Sequence, residues 1–203
     1  MNRTVIARQA GFNLLELMMT LLIAGMVLGF GIPSFTQFIA NNRMAAAAND
    51  LITSIHLART EAVKRRSTVT LCASSNWADA DPDCDADGDG WLVFIDANGD
   101  VAVDGGEDVI AAHPPLAEGI NFGIDADAAP YLQFAGSGFP QTAAGAPGIR
   151  NIQLCDARGD TSTGKDADGN DVAAGRWIAI GATGRPQIYR LQADVQGNPV
   201  GGC

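Results

Sequence analysis

Two acidic stretches place carboxylates and amides at spacings that suit a hard cation. Asp85, Asp87, Asp89, Gly90 and Asp96 fit most of a twelve-residue calcium loop, with Asp in place of its final Glu. Residues 91–95 read as a buried strand, which would straighten that loop. The second stretch is Asp96, Asn98, Asp100, Asp104 and Glu107. Its carboxylates fall at loop positions 1, 5, 9 and 12, and Val101 stands where the loop expects Gly. Such oxygen ligands suit Ca2+, although Asp, Asn and Gly are equally the residues of solvated turns. No other cofactor is indicated, and nothing points to catalysis. His56 and His113 share no nucleophile motif, and Gly136-Ser137-Gly138 lacks the Gly-x-Ser-x-Gly spacing. The Asp pairs are too many and too turn-like to single out a glycosidase dyad. No Cys-x-x-Cys or Cys/His spacing suggests zinc.

A different chemistry attends Glu16. Residues 17–42 are 26 consecutive positions without a charge. As a helix they span about 39 Å, more than a hydrocarbon core of about 30 Å. An unpaired carboxylate in such a run costs about 3 kcal/mol or more at the bilayer centre, so Glu16 reads as functional. Arg3 and Arg8 are the only charges in the short leader before Gly11. The apolar run is too long for a cleaved signal peptide, and no small-x-small site clearly ends it. An ordinary signal anchor accounts for length and orientation but leaves Glu16 unexplained. Gly25 and Gly29 form a small-xxx-small pair that permits close helix contact. Gly29, Gly31 and Pro33 cluster tightly and predict a kink or a melted segment.

The elements that must carry these groups follow from the rest of the pattern. Leu51, Ile55, Ala58 and Ala62 recur at helical spacing and give one apolar face, and Lys64-Arg65-Arg66 closes the helix where cations suit its dipole. The predicted helix runs from about residue 12 to residue 66. Short apolar runs then predict strands near 68–72, 91–95, 109–111, 120–124, 131–134, 149–154, 177–180 and 187–191. Residues 141–148 and 161–175 read as exposed loops. Closely spaced strands after one long helix give an α+β architecture, with antiparallel sheets packed on the helix.

Charge is unevenly distributed in a chain of net −10: residues 67–149 hold 14 Asp or Glu and no Lys or Arg. That acidic middle argues against a broad nucleic-acid face. Four cysteines on an exported domain suggest two disulfides, with three connectivities open. Cys72–Cys84, closing a short loop, and Cys155–Cys203, tying down the C-terminus, are the favoured pairs.

Gly11-Phe12-Asn13-Leu14-Leu15-Glu16 resembles the class III signal of type IV pilins and type II secretion pseudopilins. The resemblance implies that a prepilin peptidase cuts between Gly11 and Phe12 and methylates Phe12, leaving Glu16 fifth in the mature chain. Asn13 stands where the family usually has Thr, and Pro33 falls where it commonly has a helix-kinking proline. Residues 57–65 with Val69-Thr-Leu-Cys72, residues 90–100, and Gly184-Arg185 resemble the GspH/FimT family across nearly the whole chain. Ile39-Ala-Asn-Asn-Arg43-Met is closer to its minor-pilin branch.

The resemblance implies a type IV pilin-like fold in four parts: a leader, 1–11; a membrane-spanning assembly half of the helix, 12–38; its amphipathic half, 39–66; and a β-rich periplasmic domain, 67–203. It implies a single-pass inner-membrane protein, then a subunit of a pilus tip or initiation complex, or alternatively of a type II secretion pseudopilus. Partners would be other minor and major pilins or pseudopilins and the prepilin peptidase. Some members of this family bind DNA through Gly-Arg-x-Arg. Here Gly184-Arg185-Pro186-Gln187 lacks the second arginine, so Arg185, with Arg190 and Arg176 on a strand pair, is the candidate DNA contact.

Overall fold

In a computed structural model, the described residues are 11, 13–85, 88–143 and 147–203. Phe12, Asp87 and the leader before Gly11 lie outside them, as do the side chains at 31 and 33. Helix α1 runs from Leu14 to Arg65. Asn13 opens it: its Oδ1 accepts from the Leu15 N–H at 3.4 Å and its carbonyl from Leu17 at 3.1 Å. Arg66 closes it in the left-handed region at φ 54°, and Ser67 N–H donates back to the Ala62 carbonyl. The expected melted segment is absent, because the helix is continuous through Gly29, Gly31 and Pro33. A helical proline forfeits one backbone donor, but its fixed φ suits the helix.

The chain divides into two compact units, residues 1–40 and 41–203. In the first, large apolar side chains from Leu14 to Phe38 are more than half exposed. In the second, Met44, Ala47, Ala48, Leu51, Ile55, Ala58 and Ala62 form a buried stripe at three- and four-residue spacing. Four of these seven are alanines, which bring the helix backbone close to its sheets.

Ten strands follow: β1 Val69–Ser74, β2 Gly90–Ile95, β3 Val109–His113, β4 Asn121–Ile124, β5 Tyr131–Phe134, β6 Pro140–Gln141, β7 Asn151–Cys155, β8 Ser162–Lys165, β9 Asp171–Ile180 and β10 Pro186–Leu191, then α2, Gln192–Gln196. They form two antiparallel sheets, β3-β2-β1-β5-β6 and β10-β9-β7-β4, with β8 paired to β9. The first sheet sends Val69, Leu71, Trp91, Val93, Leu132 and Phe134 to the helix. The second contributes Ile152, Leu154, Ile178 and Ile180 to the same core.

The first sheet is buried on its other face as well. There Cys72, Leu92, Phe94 and Tyr131 pack under Trp77, Cys84, Val101 and Val103. Val101 and Val103 come from the second acidic stretch, and Trp77 and Cys84 from the segment just before the first, so these loops cover the sheet. Residues 161–175 were expected as a loop and instead hold β8 and the first part of β9. Their residues are polar and mostly exposed, and Asp166 shapes the turn by accepting from the N–H groups of Asp168 and Asn170. No apolar alternation marks such a hairpin.

Candidate functional site

Glu16 lies in the first turn of α1, where a carboxylate suits the helix dipole. The apolar residues behind it make this helix long and apolar enough to cross a membrane, and the most apolar window is wholly unburied within the chain.

The second acidic stretch brings its five residues together in one hydrogen-bonded loop. Asp96 is fully buried. Its Oδ1 accepts from the Gly99 and Asp100 N–H groups at 2.7 and 3.1 Å. Its Oδ2 accepts from Thr70 Oγ1 at 2.7 Å, Gln133 Nε2 at 2.8 Å and Val101 N–H at 3.1 Å. Asn98 Nδ2 donates to both Asp100 and Asp104 at 2.9 Å, standing between two carboxylates. Glu107 accepts from the Ala97 and Asp104 N–H groups.

The residues of the expected calcium loop thus form a hydrogen-bonded turn. Among the described residues no group of three or more His, Cys, Asp or Glu is placed to hold a metal ion. The fixed loop keeps Val101 at φ 67°, a conformation costly for a β-branched residue. Val101 and Val103 thereby lie on the sheet. In the first stretch, Asp85 Oδ2 accepts from Ser75 Oγ at 2.7 Å.

Two disulfides are formed, Cys72–Cys84 and Cys155–Cys203. The first joins β1 to the cover of its sheet. The second holds the C-terminal segment across the outer face of the second sheet, where Asn198 donates to Gln153 and Gln153 to Cys203 Sγ.

The three arginines named from the Gly-Arg pattern are not brought to one place. Arg185 is exposed in the β9–β10 turn, whose Gly181 N–H donates to the Arg185 carbonyl. Arg190 is five residues farther along β10, about 16 Å away for an extended strand. Arg176 folds back on its own strand, with Nη1 donating to the carbonyls of Ala173, Ala174 and Gly175. Burial lowers its pKa, and the charges of Arg190 and Arg158 lower it further.

Gly184 has a packing role. At φ 74°, a Cβ there would stand 2.7 Å from Phe134 Cε1 and 3.1 Å from the Gly138 carbonyl. The turn it forms rests beside the 135–139 turn, whose Gly138 carbonyl accepts from Arg59 Nε at 3.0 Å.

Sequence reasoning missed the buried polar set of Thr70, Asp96 and Gln133, which Gln141 extends by donating to Gln133 Oε1 at 2.8 Å. The available signal was a single polar residue inside each of two apolar strands. It also missed Trp91 Nε1 donating to Ser54 Oγ at 2.9 Å, which pins the first sheet to the helix. The histidines do not meet: His56 is exposed on α1, and His113 stacks on Trp91 at 3.8 Å.

Comparison with known proteins adds three likenesses. The profile of the family described as Type II transport protein GspH matches residues 47–184. The chain is similar to the Pilin-like protein PilA1 of Thermus thermophilus, 34% identical over 105 residues. That match covers 51% of this chain and 58% of the relative, so it spans less than two thirds of the relative's length. Among solved structures it is similar to the type IV minor pilin FimU of Pseudomonas aeruginosa, at 20% identity and a TM-score of 0.45. That likeness covers 75% of this chain and 92% of the other.

Proposed function

The chain belongs to the GspH family, and from that premise we propose that it is a minor pilin that joins the initiation or tip complex of a type IV pilus. It is a structural protein of pilin type and not an enzyme. Its long apolar N-terminal helix followed by two antiparallel sheets is the pilin-like arrangement, and such helices anchor pilins in the inner membrane.

One observation carries the reading. The apolar side chains from Leu14 to Phe38 are exposed, while the domain's own stripe, Met44 to Ala62, is already covered. The front of the helix therefore needs lipid or other subunits. In the proposed sequence, a prepilin peptidase cuts between Gly11 and Phe12 and methylates Phe12, with residues 67–203 in the periplasm. The helix then leaves the bilayer for a filament of minor and major pilins. There a neighbour's N-terminal amine neutralises Glu16, whose unpaired charge would be expensive in a low-dielectric core.

The family's description favours a second reading, a minor pseudopilin of a type II secretion system. Deleting the gene separates the two. Loss of surface pili with secretion intact supports the first. Loss of secreted proteins with pili intact supports the second.

A further inference from the structure

The second sheet, β10-β9-β7-β4, ends in two strands that have one partner each among the described residues: β10 pairs with β9, and β4 with β7. These two edges match each other in four ways. The first is the backbone. Ile180 N–H donates to the Arg150 carbonyl, so Ile180 and Ile178 turn their backbone groups toward β7. By alternation, Ala179 and Trp177 bond to Gln187 and Tyr189, and Gln153 bonds to Gly123. The N–H and C=O groups of Ile188 at one edge, and of Phe122 and Ile124 at the other, therefore point outward. Pro186 also points outward with no N–H to give, which ends any pairing on its side.

The second is direction. Neighbours in this sheet are all antiparallel, so a fifth strand continuing it beyond β4 would run the way β10 runs. A second copy in the same orientation presents such a strand. The third is apolar surface. Phe122 and Ile124 lie on the sheet face that carries Leu154 and Ile152 into the core, and Ile188, opposite Ile178, lies on that face too. Burial is incomplete at both edges: Ile188 is 40% exposed and Phe122 39%. Beside β4 is an apolar cavity of about 40 Å³, walled by Phe122, Ile124, Ile152, Leu116 and Trp91. One water needs about 10–15 Å³, but an apolar wall offers it no partner, so the space suits hydrocarbon. The fourth is charge. Residues 114–130 hold Glu118, Asp125 and Asp127 and no Lys or Arg, whereas residues 181–191 hold Arg185 and Arg190 and no Asp or Glu.

We propose that β10 of one copy adds to β4 of a second copy and continues its sheet, with Ile188 opposite Ile124 beside the cavity. That register sets Arg185 opposite Asp127, both exposed, and turns Arg190 toward the end of β4 nearer Glu118. Main-chain hydrogen bonds supply the attraction, and side chains and charge select the edge. The contact uses different surfaces on the two copies, so it leaves a free β10 and a free β4 at the ends and can repeat. It goes beyond the reading above and does not depend on which filament the chain joins.

The test uses the purified full chain in detergent micelles, as an equal mixture of isotope-labelled and unlabelled copies, with the photocrosslinker benzoylphenylalanine at position 188. After irradiation, peptides that join a labelled to an unlabelled copy should connect position 188 to residues 122–124. Arg185→Glu should cut that product about fivefold, and Asp127→Lys added to the same chain should restore it. If position 188 does not tolerate the photocrosslinker, amide exchange of the unsubstituted chain decides. Slowing at 188, 122 and 124 as protein concentration rises supports the pairing, and unchanged exchange overturns it. Junctions elsewhere, or copies that never join, overturn it too. The expected junction in a chain whose deletion costs neither pili nor secretion would uphold the pairing and overturn the filament reading. No junction, with pili or secretion lost on deletion, would do the reverse.

Discussion

Residues 14–40 and 41–65 belong to one helix and follow opposite rules. The first part is apolar around its whole circumference, and Leu14, Leu22, Phe30 and Phe38 are all more than half exposed. The second has one narrow buried stripe of mainly small residues and a polar remainder. An amphipathic segment is complete once its stripe meets a sheet. A segment that is apolar all round is complete only in lipid or among other helices. The helix is therefore half scaffold of the domain and half connector to something outside the chain.

This contrast can be broken from either side. The largest effect on the domain should come from Asp96→Ala, which leaves five donors without their acceptor. It should destabilise by about 4 kcal/mol, read as a fall in the denaturant midpoint. Ile55→Ala, in the fully buried stripe, should cost about 3 kcal/mol by the same measurement. Leu22→Ala removes a side chain of similar size from the first segment and should move the domain's midpoint by no more than about 0.5 kcal/mol. A loss comparable to that at Ile55 would mean that the front segment supports the domain fold.

The smallest effect concerns acid. The folded pKa of Asp156 is lowered, because its bonds to Arg158 outweigh the burial that would raise it. Its contribution to stability is therefore full above the ordinary carboxylate range, near pH 4. It is lost as pH falls through the lowered folded value. Asp156→Asn should flatten the acid limb of a melting curve and leave its shape at neutral pH unchanged.

Much of this architecture was legible from periodicity. Leu51, Ile55, Ala58 and Ala62 marked the buried stripe, and the eight apolar runs are all strands. The strands that escaped are short or polar. β6 is Pro140–Gln141, and β8 is Ser162–Lys165, with mostly exposed residues and nothing to alternate. α2 has five residues and no side-chain cap.

Glu16 stands out in the sequence because a charge in an apolar run is costly. The acidic loop was legible as a built structure but not in its purpose. Carboxylate spacing shows where oxygens stand along the chain. The donors that occupy them come from Thr70 and Gln133, on strands 26 and 37 residues away. The packing role of Gly184 was not legible for a similar reason, since its constraint is Phe134 of a distant strand.

The connector claim is tested most directly by Glu16→Leu in the full-length chain expressed at wild-type level. The quantity to measure is the fraction recovered in sheared filaments against the fraction left in the inner membrane. Membrane insertion should be unchanged, while filament incorporation should fall at least about a hundredfold, the loss expected when a buried charge pair forfeits one partner. Incorporation equal to wild type would contradict the account.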